Sequence, residues 1–459
     1  MKGLCSFAAA LVLLATVAVA QKQTPPPGGT PKDFTVPART TIALENGLRA
    51  TLIPYGSTPK VTIYAVVRAG NINEGPAQIW LADLVGEMLK EGTAQRTSRK
   101  LAEDAAEIGG SINVSVGADR SFVTGDALSE FAPELIALLG DVLRNPAFPA
   151  GELPRVKQNF QRRLAVQTAD PQTMTLEKFR KILYGDHPYG RVFPTQEMLA
   201  AYTINDVSTF YRENFGAART HLFIAGVFDA KKVGEALRAA FGEWVRGSAP
   251  LINVPKPASV RSVHIVDRPK ASQSTIYLGI PVIDPSSPDW IPMQVMNALL
   301  GGSFTSRITS NIRENKGYTY SPYSDVSARY RDAYWLESAD VSTDVTGASL
   351  KEIFAEITRL QNEAPPEEEL KSIQNYLAGI FVLRNSAPGM IIGLLSFMDL
   401  HGLPDEFLAN YIKNVHAVTP AQVQELAKKY IRPENITIAI AGDRKKIEKQ
   451  VAPYGPIMP

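Results

Sequence analysis

Thr203-Ile204-Asn205-Asp206-Val207, followed shortly by Arg219-Thr220-His221-Leu222-Phe223-Ile224-Ala225-Gly226, reads as a helix start, a turn and a buried strand that stops at glycine. The same order returns near the end of the chain as Thr419-Pro420-Ala421-Gln422-Val423 and Asn435-Ile436-Thr437-Ile438-Ala439-Ile440-Ala441-Gly442. Thr203 to Thr419, Val207 to Val423 and Gly226 to Gly442 are each separated by 216 residues. That offset also carries Gln158-Asn159-Phe160 onto Gln374-Asn375-Tyr376, while Thr62-Ile63-Tyr64 and Thr275-Ile276-Tyr277 open comparable strands 213 residues apart. One such match would be chance; a set near one offset marks a structural unit written twice.

Each unit begins with alternating-pattern strands, such as Val61–Val67 and Thr275–Ile280. Amphipathic helices follow, and the helix–strand pair quoted above closes the unit. This mixture predicts an α+β fold made of two homologous α/β-sandwich domains, each a mixed sheet covered by helices on one face. The expected domains span residues 38–245 and 263–459. Residues 246–262, which carry Pro250, Pro255 and Pro257, are the expected linker.

The front of the chain reads as an address. Lys2 supplies a positive start, Phe7 to Val19 is nearly all apolar, and Ala18-Val19-Ala20 offers the small residues of a cleavage site. Residues 1–20 are therefore expected to be a signal peptide, cut before Gln21, and the protein to be exported to the periplasm or the exterior of a bacterium. The apolar run is shorter than the ~20 residues a span needs, so no membrane span is expected after cleavage. Residues 21–37 (QKQTPPPGGTPKDFTVP) read as a Pro-rich flexible arm. Cys5, the only cysteine, falls within the signal, which leaves the mature chain without disulfides, thiol chemistry or thiolate-bound metal. With 48 Lys+Arg against 46 Asp+Glu, the chain has no basic footprint for nucleic acid.

Ile79 to Leu89 (IWLADLVGEML) predicts an amphipathic helix with Leu81, Leu84, Val85, Met88 and Leu89 on one stripe. Asp83 and Glu87 lie four apart on the other side, which is expected to be a solvated polar face.

The block Leu81-Ala82-Asp83-Leu84-Val85-Gly86-Glu87-Met88-Leu89-Lys90-Glu91-Gly92-Thr93 gives the chain a resemblance. With the duplicated unit, Asn46-Gly47-Leu48 and Asp186-His187-Pro188-Tyr189-Gly190, it resembles the pitrilysin/insulinase/mitochondrial-processing-peptidase family of inverted zinc peptidases. Active members carry H-x-x-E-H on this helix: two zinc ligands, and a Glu that activates the metal-bound water. Here Asp83 stands at the first ligand position, Gly86 at the base position and Glu87 at the second ligand position. The helix matching the family's third ligand, Leu153 to Ala169, has no acid and reads Gln158, Gln161, Arg162, Arg163. His187, His221, His264, His401 and His416 are scattered, with no pair at ligand spacing. The resemblance implies a degenerate zinc site and no cofactor in this chain.

Leu300 to Ser324 (LGGSFTSRITSNIRENKGYTYSPYS) resembles the family's second-half motif. Gly301-Gly302 is expected to end a helix, Arg307 and Arg313 to lie on a helical stretch, and Tyr318-Thr319-Tyr320 to be strand-like. In the family an Arg and a Tyr seven residues later reach the active site of the opposite half; here they are Arg313 and Tyr320. A phenol aimed at the developing oxyanion stabilises peptide hydrolysis, and a guanidinium can hold a neighbouring carbonyl.

A lost metal site beside a retained Arg/Tyr pair resembles the non-catalytic subunit of a heterodimer. The implied partners are a homologous zinc-bearing peptidase subunit and unfolded peptides, bound as an added strand on a sheet edge. Two other readings stay open: a structural or peptide-binding protein with no part in catalysis, and a peptidase with an atypical metal at Asp83 and Glu87.

Overall fold

In the computed structural model, residues 34–458 are described; the signal segment and most of the arm lie outside them. Both copies of the quoted stretch fold alike. Thr203 and Thr419 cap their helices by accepting the backbone N–H of Asp206 and of Gln422, and the Asp206 carboxylate accepts the Thr203 N–H in return. The strands that follow, Thr220–Gly226 and Thr437–Gly442, are buried at every residue.

The first half contributes β1 (Thr40–Ala43), β2 (Arg49–Pro54), β3 (Lys60–Val67), β4 (Ser111–Val116), β5 (Ser121–Leu128) and β6 (Thr220–Gly226). The second contributes β7 (Ser262–Asp267), β8 (Gln273–Val282), β9 (Tyr323–Arg329), β10 (Asp332–Ser342), β11 (Thr437–Gly442) and β12 (Ile457–Met458). The sheet orders are β1-β2-β6-β3-β5-β4 and β12-β7-β11-β8-β10-β9, so the two halves share one strand plan. Both sheets are mixed: β6 runs parallel to β2 and antiparallel to β3, as β11 does with β7 and β8. The last long strand of each half lies inside its sheet, which requires the near-continuous apolar run read in the sequence.

Side-chain alternation divides each sheet. In β6, Leu222 and Ile224 face the helices of their own half, beside Leu52, Ile63 and Val67. Phe223 and Ala225 face the other way, and what they meet comes from the second half: Ile391, Ile392 and Leu395 on the Pro388–His401 helix. The exchange is reciprocal. The Pro171–Tyr184 helix of the first half places Phe179 and Leu183 on Tyr334 and Ala439 of the second sheet. Phe179 lies so close that a Cβ on Gly279 would stand 2.7 Å from its Cζ. Each fully buried Phe, Leu or Ile contributes about 1.5–3 kcal/mol, so the exchanged helices bind the halves together strongly.

Two expectations are corrected. Phe34, within the segment read as flexible, packs edge-on against Phe381 at 5.0 Å, so the end of the arm is docked. Tyr318-Thr319-Tyr320 forms no strand beyond one isolated bridge at Thr319, and β9 starts only at Tyr323. Gly317 turns the chain at φ 65°, and Pro322 has no N–H for a ladder.

Candidate functional site

The helix that carries the degenerate motif spans Leu81–Met88, two residues later than its apolar run suggests. Trp80 sits at φ 65° before it, with its indole N–H donating to the Val192 carbonyl and its ring set edge-on to Phe160 and Phe193. Asp83 is not on a solvated face: its side chain is only 14% exposed. The Asn71 amide donates to its carboxylate at 2.8 Å, and Arg163 approaches it at 3.4 Å. Burial raises the Asp83 pKa, against the pull of the Asn71 bond and the Arg163 charge.

Asn71 also donates to Glu74 at 3.1 Å, so one amide bridges two carboxylates. Glu74 accepts the Ala82 N–H at 2.9 Å, and burial pushes its pKa up to about 8. Glu74 carried no signal in the sequence, because it stands in a Gly/Asn-rich turn ahead of the helix. Glu87 points elsewhere and pairs with Lys90 at 2.6 Å. At the base position, a Cβ on Gly86 would stand 2.7 Å from Val116 Cγ2, so the helix lies tightly against β4.

From the Leu153–Gln167 helix, Arg163 spreads over the Trp80 ring at 4.7 Å while facing Asp83. A guanidinium thus occupies the space beside the first ligand position. A protein zinc site needs at least three converging donors. Among the described residues, no group of three His, Cys, Asp or Glu converges in this way. The residues present do not fit zinc.

Beside Asp83 is a cavity of about 250 Å³, walled by parts of both halves, including Arg180 on the exchanged helix and Arg329 on β9. Arg313 and Tyr320 do not line it. They lie together elsewhere, with the Arg313 guanidinium 4.3 Å from the Phe304 ring centre and 5.3 Å from that of Tyr320. Tyr320 is 82% exposed and Phe304 68%. Arg313 lies on a π-helical turn, Thr309–Asn315, and also bonds Glu314 at 2.8 Å. Arg307, by contrast, is buried in a two-pronged bond to Glu369 at 2.8 Å, which makes it an anchor.

Residues 51–194 match the family described as Insulinase (Peptidase family M16), and residues 201–377 match the Peptidase M16 inactive domain. The chain belongs to the insulinase family. It is of the type that lacks H-x-x-E-H. An uncharacterized zinc protease of Rickettsia felis is 24% identical over 333 residues, which cover 72% of this chain and 80% of that protein. The non-peptidase homolog YmxG of Helicobacter pylori is 22% identical over 393 residues, covering 84% of this chain and 90% of that one. A peptidase M16 inactive domain from Pseudomonas fluorescens superposes with a TM-score of 0.82 at 22% identity, over 88% of this chain and 98% of that one. That likeness is one of fold.

Proposed function

We propose that this non-catalytic member of the insulinase family is an exported subunit of a two-chain metallopeptidase. It binds unfolded peptides and lends Arg313 and Tyr320 to the site of a homologous, zinc-bearing partner. The observation that carries this reading is the exposed Tyr320 phenol beside the Arg313 guanidinium. The pair has no chemistry to serve at Asp83, whose helix has Gly86 where a base would stand. Resting between two aromatic rings, the guanidinium is pre-oriented at little entropic cost. In the pair of chains, Tyr320 would donate its O–H to the oxyanion and Arg313 would hold a neighbouring substrate carbonyl. The metal is expected in the partner chain only.

A second reading, a peptide-binding or structural protein without any catalytic part, is favoured by the Arg163–Asp83 contact, which gives the former metal position a fixed cation. Native copurification from the source cell, followed by zinc analysis of each separated chain, tests the first against the second. The expected result is a stable pair with zinc on the partner alone. A homodimer with no zinc-bearing companion would overturn the two-chain reading in favour of the second.

A further inference from the structure

The cavity beside Asp83 has four guanidiniums in its wall, Arg163, Arg180, Arg191 and Arg329, and Asp83 is its single carboxylate. Arg163 faces Asp83. Arg191 is held by backbone carbonyls, donating to Asp186 and to Glu74. Among the described residues, Arg180 and Arg329 form no ion pair with an acid. Among the described residues Arg180 hydrogen-bonds only the Tyr334 hydroxyl, 3.4 Å from its Nε and Nη2. Arg329 uses Nη1 on Ser327 Oγ and the Ala328 carbonyl.

Asp119 and Asp332 act on Arg329 through their charges without pairing with it, and neither pairs with Arg180. Asp119 accepts from the Tyr189 hydroxyl and the Tyr330 N–H, and Asp332 accepts from the Tyr184 hydroxyl. Neither acid forms an ion pair with an arginine among the described residues. Withdrawing the Arg180 guanidinium from water without an anion is costly, and guanidiniums favour the two-pronged geometry of a carboxylate. The structure has the charge, the donors and the space for an anion.

Its position says where that anion would come from. β4 is an open sheet edge, with β5 on its inner side and no strand on the other among the described residues. Val116, the last residue of β4, and Ala118 both line the cavity. β4 runs toward the cavity, so an extended peptide paired parallel to it would bring its C-terminal end there. A cavity of about 250 Å³ has ample room for a carboxylate and several waters.

We infer that the Arg180–Arg329 cavity binds the carboxylate of a peptide laid along β4, either its C-terminus or an acidic side chain near that end. The inference rests on the peptide-binding reading above and deepens it to a class of peptide.

The test is fluorescence anisotropy on the full chain with one N-terminally labelled extended peptide in three forms. These are the free C-terminal acid, the C-terminal amide, and the amide with Glu as its last residue. The acid is expected to bind at least tenfold more tightly than the plain amide. The Glu amide separates the sources: regained affinity assigns a side-chain carboxylate as sufficient, and no gain restricts the site to the C-terminus. Arg180→Gln is expected to bring the acid down to the affinity of the amide while leaving the amide unchanged. If that variant fails to fold, the acid–amide comparison on the unaltered chain decides alone. Equal affinity of acid and amide overturns the inference and leaves peptide binding standing, as does displacement by inorganic phosphate without any preference for the acid. No binding of any form overturns both.

Discussion

Arg163 stands 3.4 Å from the Asp83 carboxylate and 4.7 Å from the centre of the Trp80 ring. A cation fixed to a helix has the position beside the first ligand residue, and its aromatic seat keeps it there. The loss of hydrolytic chemistry in this half is therefore a matter of packing as well as of missing ligands.

Restoring the lost motif as Asp83→His, Gly86→Glu and Glu87→His should give no peptidase. The Leu153–Gln167 helix still supplies no acidic third ligand, and any side chain at Gly86 meets Val116. Gly86→Ala alone should cost about 1–3 kcal/mol of stability, the usual penalty of overpacking, although Ala is the better helix former. Adding Val116→Ala should recover most of it. A peptide-hydrolysis assay with added zinc checks the triple variant, and urea denaturation checks the other two.

Glu337 is fully buried, and neither carboxylate oxygen has a hydrogen-bond partner among the described residues. Burial raises its pKa well above the ordinary value. A carboxyl raised on folding binds its proton more tightly in the folded chain than in the unfolded one. Stability is then fullest below the unfolded pKa, near 4.5, and falls as pH climbs from there toward the folded value. Glu74, pushed up to about 8, acts in the same direction. Glu337→Gln should therefore lose less stability than the unaltered chain between about pH 5 and about pH 8, as read from urea midpoints at the two pH values.

Phe179→Ala should cost about 3–5 kcal/mol, the range for a deleted buried aromatic ring. The ring is fully buried beneath the opposite half's sheet, edge-on to Tyr334 at 5.4 Å. Its loss should also loosen the exchange of helices. Faster limited proteolysis within residues 246–261, which carry no helix or strand, is the accompanying observation.

The doubled α/β unit, with one early strand and the closing helix–strand pair of each half, was legible because alternation and a repeated signature survive in a single sequence. The order of the strands in each sheet was not. The exchanged helices were not legible. The apolar positions Phe179 and Leu183 announce that a helix face is buried, but not which sheet buries it. Asp83 looked solvated for a similar reason: the groups that enclose it, Asn71 and Arg163, lie 12 and 80 residues away, and spacing along one helix is blind to both. The aromatic alternation of Tyr318 and Tyr320 imitated a strand because Gly317 and Pro322 act through backbone geometry that periodicity ignores. Arg313 and Tyr320 were found by resemblance; their closeness in space is a structural fact that seven residues of separation did not require.

The central claim is that the phenol of Tyr320 serves a reaction on another chain. Tyr320→Phe removes one oxygen from an exposed ring, so the fold should be indifferent to it. The direct measurement is steady-state peptide hydrolysis by the reconstituted pair, this chain with its zinc-bearing partner, with and without the substitution. The account predicts a kcat lowered by about 100-fold or more with KM little changed, the mark of a donor that acts on the transition state. Undiminished kcat in the pair that carries Tyr320→Phe would contradict it.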